Sequence, residues 1–120
     1  LTYDGRESWS PADPAESAAL TAFHAHMRGD KGFGAARGPD APAALAAVLA
    51  DRALTLAPSP WRLGPPDRAL IQELAVGAAS AVAETHSLAP QDLEIWKKTR
   101  RSAKAVAIGH TDLLALPRDP

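Results

Sequence analysis

Proline parses this chain before any other residue does. Its 11 copies stand at positions 11, 14, 39, 42, 58, 60, 65, 66, 90, 117 and 120. A proline ring lacks the N–H that a helix interior needs and clashes with the preceding turn, so helices end at or start from these points. Four long proline-free intervals remain, and each carries apolar residues at helical spacing. The chain is therefore expected to be all-α: a bundle of four helices, or four plus one short one, with a Gly-rich loop, a Pro-rich loop and a small N-terminal hairpin.

The first helix is expected from Asp13-Pro14-Ala15-Glu16, where Asp13 caps, Pro14 fits the first turn and Glu16 completes a capping box, to about Arg28. It would bury Leu20, Phe23 and Met27. The second starts near Asp40, places Leu45, Val48, Leu49, Ala53 and Leu56 on one stripe, and stops before Pro58. The third follows Gly64-Pro65-Pro66-Asp67, with Leu70, Ile71, Leu74, Ala78, Ala81 and Val82 facing inward, and ends near His86. Its small residues from Val76 to Ala81 allow close approach of a neighbouring helix.

The fourth helix starts at Pro90 and carries Leu93, Trp96, Ala103, Val106 and Ala107. Unbroken to Leu116 it would be about 40 Å long, so a break at Gly109 and a short last helix with Leu113, Leu114 and Leu116 are expected. The Asp4-Gly5 turn signal sets residues 1–12 apart as an arm or small hairpin. Residues 13–117 form the bundle and 118–120 a tail. Of the two long connections, Gly29 to Pro39 reads as mobile, and Pro58 to Pro66 as stiff, with Trp61 anchored over the bundle end.

Alanine supplies 27 of the 55 residues behind the 46% hydrophobic content, and Leu another 14. A buried Ala contributes about 0.8 kcal/mol against about 1.5–3 for a buried Leu or Phe, so the core is thin. Such a chain is expected to gain stability from a partner or from a second copy of itself. No cysteine is present, which excludes disulfides, thiolate metal sites and thiol nucleophiles and favours a cytoplasmic location. No stretch is long and apolar enough for a membrane helix. The first residues lack the basic-then-apolar order of a secretory signal, and the initial Leu1 reads as the start of a trimmed or excised piece.

Charge is segregated. Residues 1–96 hold seven basic and 12 acidic side chains, whereas Lys97-Lys98-Thr99-Arg100-Arg101-Ser102-Ala103-Lys104 holds five basic ones and no acid. Lys97, Arg101 and Lys104 share a helix face, Lys98 widens it and Arg100 lies toward the other side. The band admits three readings: a solvated face, a docking surface for an acidic partner, or a polyanion site in which Trp96 stacks on a base.

Other chemistry is sparse. His24 and His26 diverge on a helix and His86 and His110 have no close partner, so no metal or other cofactor is expected; any site would need Glu73 or Glu84 from across the bundle. The loop Arg28-Gly29-Asp30-Lys31-Gly32-Phe33-Gly34-Ala35-Ala36-Arg37-Gly38 lacks a phosphate-loop signature. It reads as a mobile connection, with Arg28, Lys31 and Arg37 as the cations of an anion or partner loop. No serine, histidine and acid pattern marks a catalytic centre. The expected function is assembly or adaptor work through protein contacts, including self-association. The alternatives are nucleic-acid binding by Lys97, Lys98, Arg100, Arg101 and Lys104, and a helical bundle with a small-ligand or enzymatic pocket.

Overall fold

In the computed structural model, which describes residues 1–119, the longest strand lies where the last helix was expected. Pro120, the end of the expected tail, lies outside the described residues. The elements follow the order β1 (Thr2–Ser10), α1 (Glu16–Arg28), α2 (Ala41–Val48), β2 (Ala53–Pro58), β3 (Trp61–Leu63), α3 (Arg68–Thr85), α4 (Pro90–Arg101) and β4 (Ala105–Leu116). Short 3-10 turns precede α2 and α3. The protein is thus a mixed α/β fold with a four-stranded antiparallel sheet, not an all-α bundle.

The reason lies in side-chain period. From Ala105 onward Val106, Ile108 and His110 alternate with Ala107 and Gly109, a period of two that sends the larger set to the core and the other to the opposite face, where Asp4 and Arg6 cover Gly109. Val106, Ile108 and His110 are buried. The helical stripe through Ala103, Val106 and Ala107 fits the same residues but omits Ile108, the largest of them. Helix α4 stops at Arg101 because its last carbonyls have better partners elsewhere. Arg68 at the start of α3 donates to the carbonyls of Ala103 at 2.9 Å and Arg101 at 2.6 Å, and the Ser102 hydroxyl to those of Lys98 and Thr99. Lys104 N–H then donates to the Ser10 carbonyl at 2.8 Å and opens the sheet.

The second helix is likewise half the expected length. α2 ends at Val48, and Ala53 and Leu56 belong to β2, opposite Leu116 and Leu113 of β4. The turn between them is pinned by Arg118, whose guanidinium donates to the carbonyls of Asp51 and Arg52. The Pro-rich connection contains β3, which continues along the same edge of β4 after a break at Ser59-Pro60. At the N-terminus Asp4-Gly5 is not a hairpin tip. β1 runs through it and pairs with β4, absorbing extra residues in a bulge between Tyr3 and Glu7, with Gly5 at φ +86°. No helix among the described residues is long and apolar enough to cross a membrane.

The expected α1 and α3 are present, the latter ending at His86 in the left-handed conformation. α3 is the hub. Ile71 and Ala75 pack with Trp9, Ala103, Val106 and Ile108 beneath the sheet. One to three turns further on, Ala78, Ala79 and Val82 pack with Ala19 and Ala22 of α1 and Trp96 of α4. The small side chains let the three helices close around one indole. The remainder is open: the radius of gyration is 16.4 Å, against about 14 Å for a compact chain of this length. α2 buries no residue, and Leu56, Leu114 and Leu116 near the distal ends of β2 and β4 stay exposed.

Candidate functional site

Where β1, α1 and α4 meet, a charged side chain is enclosed by the core. Arg100, one helical turn after Trp96, lies on the apolar side of α4 and is 2% exposed. Its guanidinium sits 4.1 Å from the centre of the Trp9 ring and 4.7 Å from that of Trp96, a cation held between two indole faces. Its N–H groups are taken by carboxylates. Nε and Nη2 form a fork with Glu16 at 2.9 and 2.6 Å, and Nη1 lies 3.2 Å from Glu7 Oε1. Both indoles also donate: Trp9 Nε1 to Glu7 at 2.8 Å, Trp96 Nε1 to Glu16 at 3.4 Å. The bidentate geometry is the one guanidinium and carboxylate planes favour.

A second chain of hydrogen bonds converges on Glu7. The Tyr3 hydroxyl donates to Glu7 Oε2, and its oxygen lies 2.9 Å from His24 Nε2. A carboxylate only accepts, so the order is His24 N–H to Tyr3 oxygen, then Tyr3 O–H to Glu7. Burial, the Glu7 hydrogen bond and the Glu7 charge all push the Tyr3 pKa above its ordinary 10.0. Burial, with Arg28 adding to it, holds His24 below 6.5, against the opposing pull of Glu7. Tyr3 is therefore a fixed donor, and Glu7 accepts from Tyr3, Trp9 and Arg100 together. Tyr3 is not poised to release its proton, and the cluster is built to hold geometry.

This polar cluster forms one wall of a cavity of about 210 Å³. Phe23 and Met27 from α1, Leu74 and Ala78 from α3, Trp61 from β3, and Ile108 and His110 from β4 complete the lining with Tyr3, Glu7, Trp9 and Arg100. Trp61 is not an anchor over a bundle end. It pairs in the sheet opposite Ile108, and its ring stands 4.7 Å from that of His110 at the cavity mouth. Every buried side-chain nitrogen and oxygen among the described residues has a hydrogen-bond partner or some access to open space.

The basic band divides. Arg100 faces inward and is neutralised, and Trp96 is fully buried and offers no face to a base. Lys98, Arg101 and Lys104 remain exposed and Lys97 half-exposed at the end of α4. In the Gly-rich loop, Arg28 pairs with Asp40 at 3.0 Å and Lys31 donates to the His26 carbonyl, while Arg37 is exposed. The loop is ordered at its base by Ala36 N–H to the Arg28 carbonyl, and at its turn by Asp30, which accepts from Gly32 and Gly34 N–H. His26 pairs with Glu84 across α1 and α3, while His24 joins the Tyr3 chain, so the two diverge as their spacing requires. Among the described residues no three His, Asp or Glu side chains gather as a metal-holding group.

Tyr3, Glu7, Trp9 and His110 line the cavity although no motif marks them as site residues. The signal was there: Glu7 and Trp9 alternate with Ser8 and Ser10, and Trp96 and Arg100 share a helix face. Glu16, read as a capping residue, instead spends its carboxylate on Arg100, while Asp13 takes the Ala15 N–H at 2.8 Å. Comparison with known proteins finds no matching protein family, curated sequence or solved structure.

Proposed function

We propose that this protein is a binding domain for a small, largely apolar molecule. The observation that carries the reading is the 210 Å³ cavity, with aromatic and aliphatic walls and one rigid polar side. Small-molecule sites have this make-up, a mostly apolar hollow with a few fixed polar groups. Here those groups are Tyr3 and Glu7 of β1, Arg100 of α4 and His110 of β4; the first three are locked by hydrogen bonds and ion pairs, so a ligand would meet them without reorganisation. The test is ligand-observed NMR with aromatic fragments against the whole chain and its Leu74→Trp variant, which places an indole in the hollow. Saturable binding that disappears in the variant supports the reading. Fragments that bind neither protein saturably, or both equally, overturn it.

A second reading, contact with another copy of the chain, draws on a different observation. β2 is an edge strand without a charged residue from Ala53 to Pro58; it carries the exposed Leu56 and lies beside exposed Leu114 and Leu116 of β4. Such an edge is a template for a further strand. Sedimentation across concentrations, repeated with Thr55→Lys, tests it. A wild type that stays monomeric at high concentration removes the reading.

A further inference from the structure

The lining of the cavity also narrows the chemistry of its occupant, and this inference rests on the binding reading above. His110 is nine-tenths buried. Its Nδ1 lies 3.1 Å from the Ile108 carbonyl oxygen, a group that only accepts, so Nδ1 is the donor of this bond and Nε2 is the acceptor of the tautomer that it selects. Among the described residues no group donates to Nε2, although the residues around it satisfy one another closely. His110 borders the 210 Å³ cavity, and also a shallower one of about 260 Å³ lined in part by Arg62 and Pro60.

Charge and shape restrict what can supply the missing donor. An anion would meet the Glu7 carboxylate. A cation would find the Trp9 face, the one beside Glu7, already held by Arg100. A neutral molecule meets neither obstacle. The rings of Phe23, Trp61 and Tyr3 favour a flat aromatic body, for which offset and edge-on contacts add to burial. A cavity of roughly 150 Å³ suffices for benzene, so the space here suits one ring or two fused rings.

We infer that the cavity takes a neutral planar aromatic of one or two rings bearing one N–H or O–H donor, with that donor on His110 Nε2 and the ring against Trp61. Indole is the probe, with N-methylindole as its donorless match and naphthalene as the purely apolar one. Calorimetric titration of the whole chain should give indole about two- to tenfold tighter binding than N-methylindole, the range one neutral hydrogen bond commands. In isotope-labelled protein, the His110 Nε2 resonance should move with indole and stay with N-methylindole. His110→Phe should erase the preference while still binding naphthalene. If that variant fails to fold, the wild-type comparison and the nitrogen resonance decide the matter. Equal affinities, or an Nε2 resonance that ignores bound indole, overturn this inference and leave the binding reading standing. If even naphthalene fails to bind saturably, both fall.

Discussion

Replacing Arg100 by Met tests whether the enclosed cation holds the two halves of the molecule together. Methionine fits the slot between Trp9 and Trp96 but brings no charge, so the main loss is electrostatic. Glu7, with a side chain 4% exposed, would be left as a buried anion with only the Tyr3 hydroxyl and Trp9 indole as donors. Glu16 is 20% exposed and regains part of its hydration. Breaking a buried pair in this way costs about 3–5 kcal/mol, most of it the unpaired charge left behind. With an unfolding entropy of about 2.1 cal/mol/K per residue, the loss corresponds to a fall in Tm of roughly 12–20 °C.

Calorimetry or circular dichroism melts of four proteins separate this from lost packing: wild type, Arg100→Met, Glu7→Gln and the double variant. If the penalty is the orphaned carboxylate, Glu7→Gln in the Met background should recover at least about 1.5 kcal/mol, within the coupling expected of touching charges. An Arg100→Met protein melting within about 4 °C of wild type, or strictly additive losses, would refute the argument.

Other consequences are accessible to simpler measurements. Tyr3 is the sole tyrosine, so tyrosinate absorbance should stay absent past its ordinary 10.0 and rise only as the protein unfolds in alkali. Because its folded pKa is raised, Tyr3 contributes stability that is intact below pH 10 and lost above it, and Tyr3→Phe should flatten that loss. His24 has the opposite sign: its lowered pKa means that stability falls as pH drops below 6.5, more steeply in wild type than in His24→Gln. At Gly109 an added Cβ would meet Asp4 Oδ1 and the Arg6 backbone, so Gly109→Ala should cost about 1–3 kcal/mol by overpacking. At Gly77 nothing stands within 4 Å, and Gly77→Ala in the middle of α3 should stabilise by about 0.5–1 kcal/mol; urea midpoints of the two variants that move in the same direction would contradict this.

Helix starts were legible because their signals are local. Asp13-Pro14 before α1, Pro66-Asp67 before α3 and Pro90 at the head of α4 all stand where the chain turns helical. Strands were not legible, since a strand is settled by its neighbours across the sheet. Ala53 and Leu56 fit a helical stripe with Val48 and Leu49 as well as Leu54 and Leu56 fit alternation with Thr55. Only pairing with Leu113 and Ala115 decides between the two. In an alanine-rich chain the ambiguity deepens, because Ala fits either face of either element and helix propensity favours the wrong answer.

Counted along the sequence, residues 97–104 form one cationic band, yet that count treats five charges as equivalent. Helical spacing already distinguishes them: Leu93, Trp96 and Arg100 share a face, and a guanidinium that follows an indole by one turn on the inward side must find its carboxylates inside. It finds them on Glu7 of β1 and Glu16 of α1, two of the 12 acids that made the preceding segment look uniformly acidic. The segregation of charge in the sequence is therefore partly the trace of a core contact, drawn out along the chain by the separation of 84 positions from Glu16 to Arg100. That contact also supplies the rigid polar side of the cavity. The charge feature and the polar wall of the cavity are the same structure seen from opposite sides of α4, and on the proposed binding reading a ligand should raise the Tm of Arg100→Met less than that of wild type.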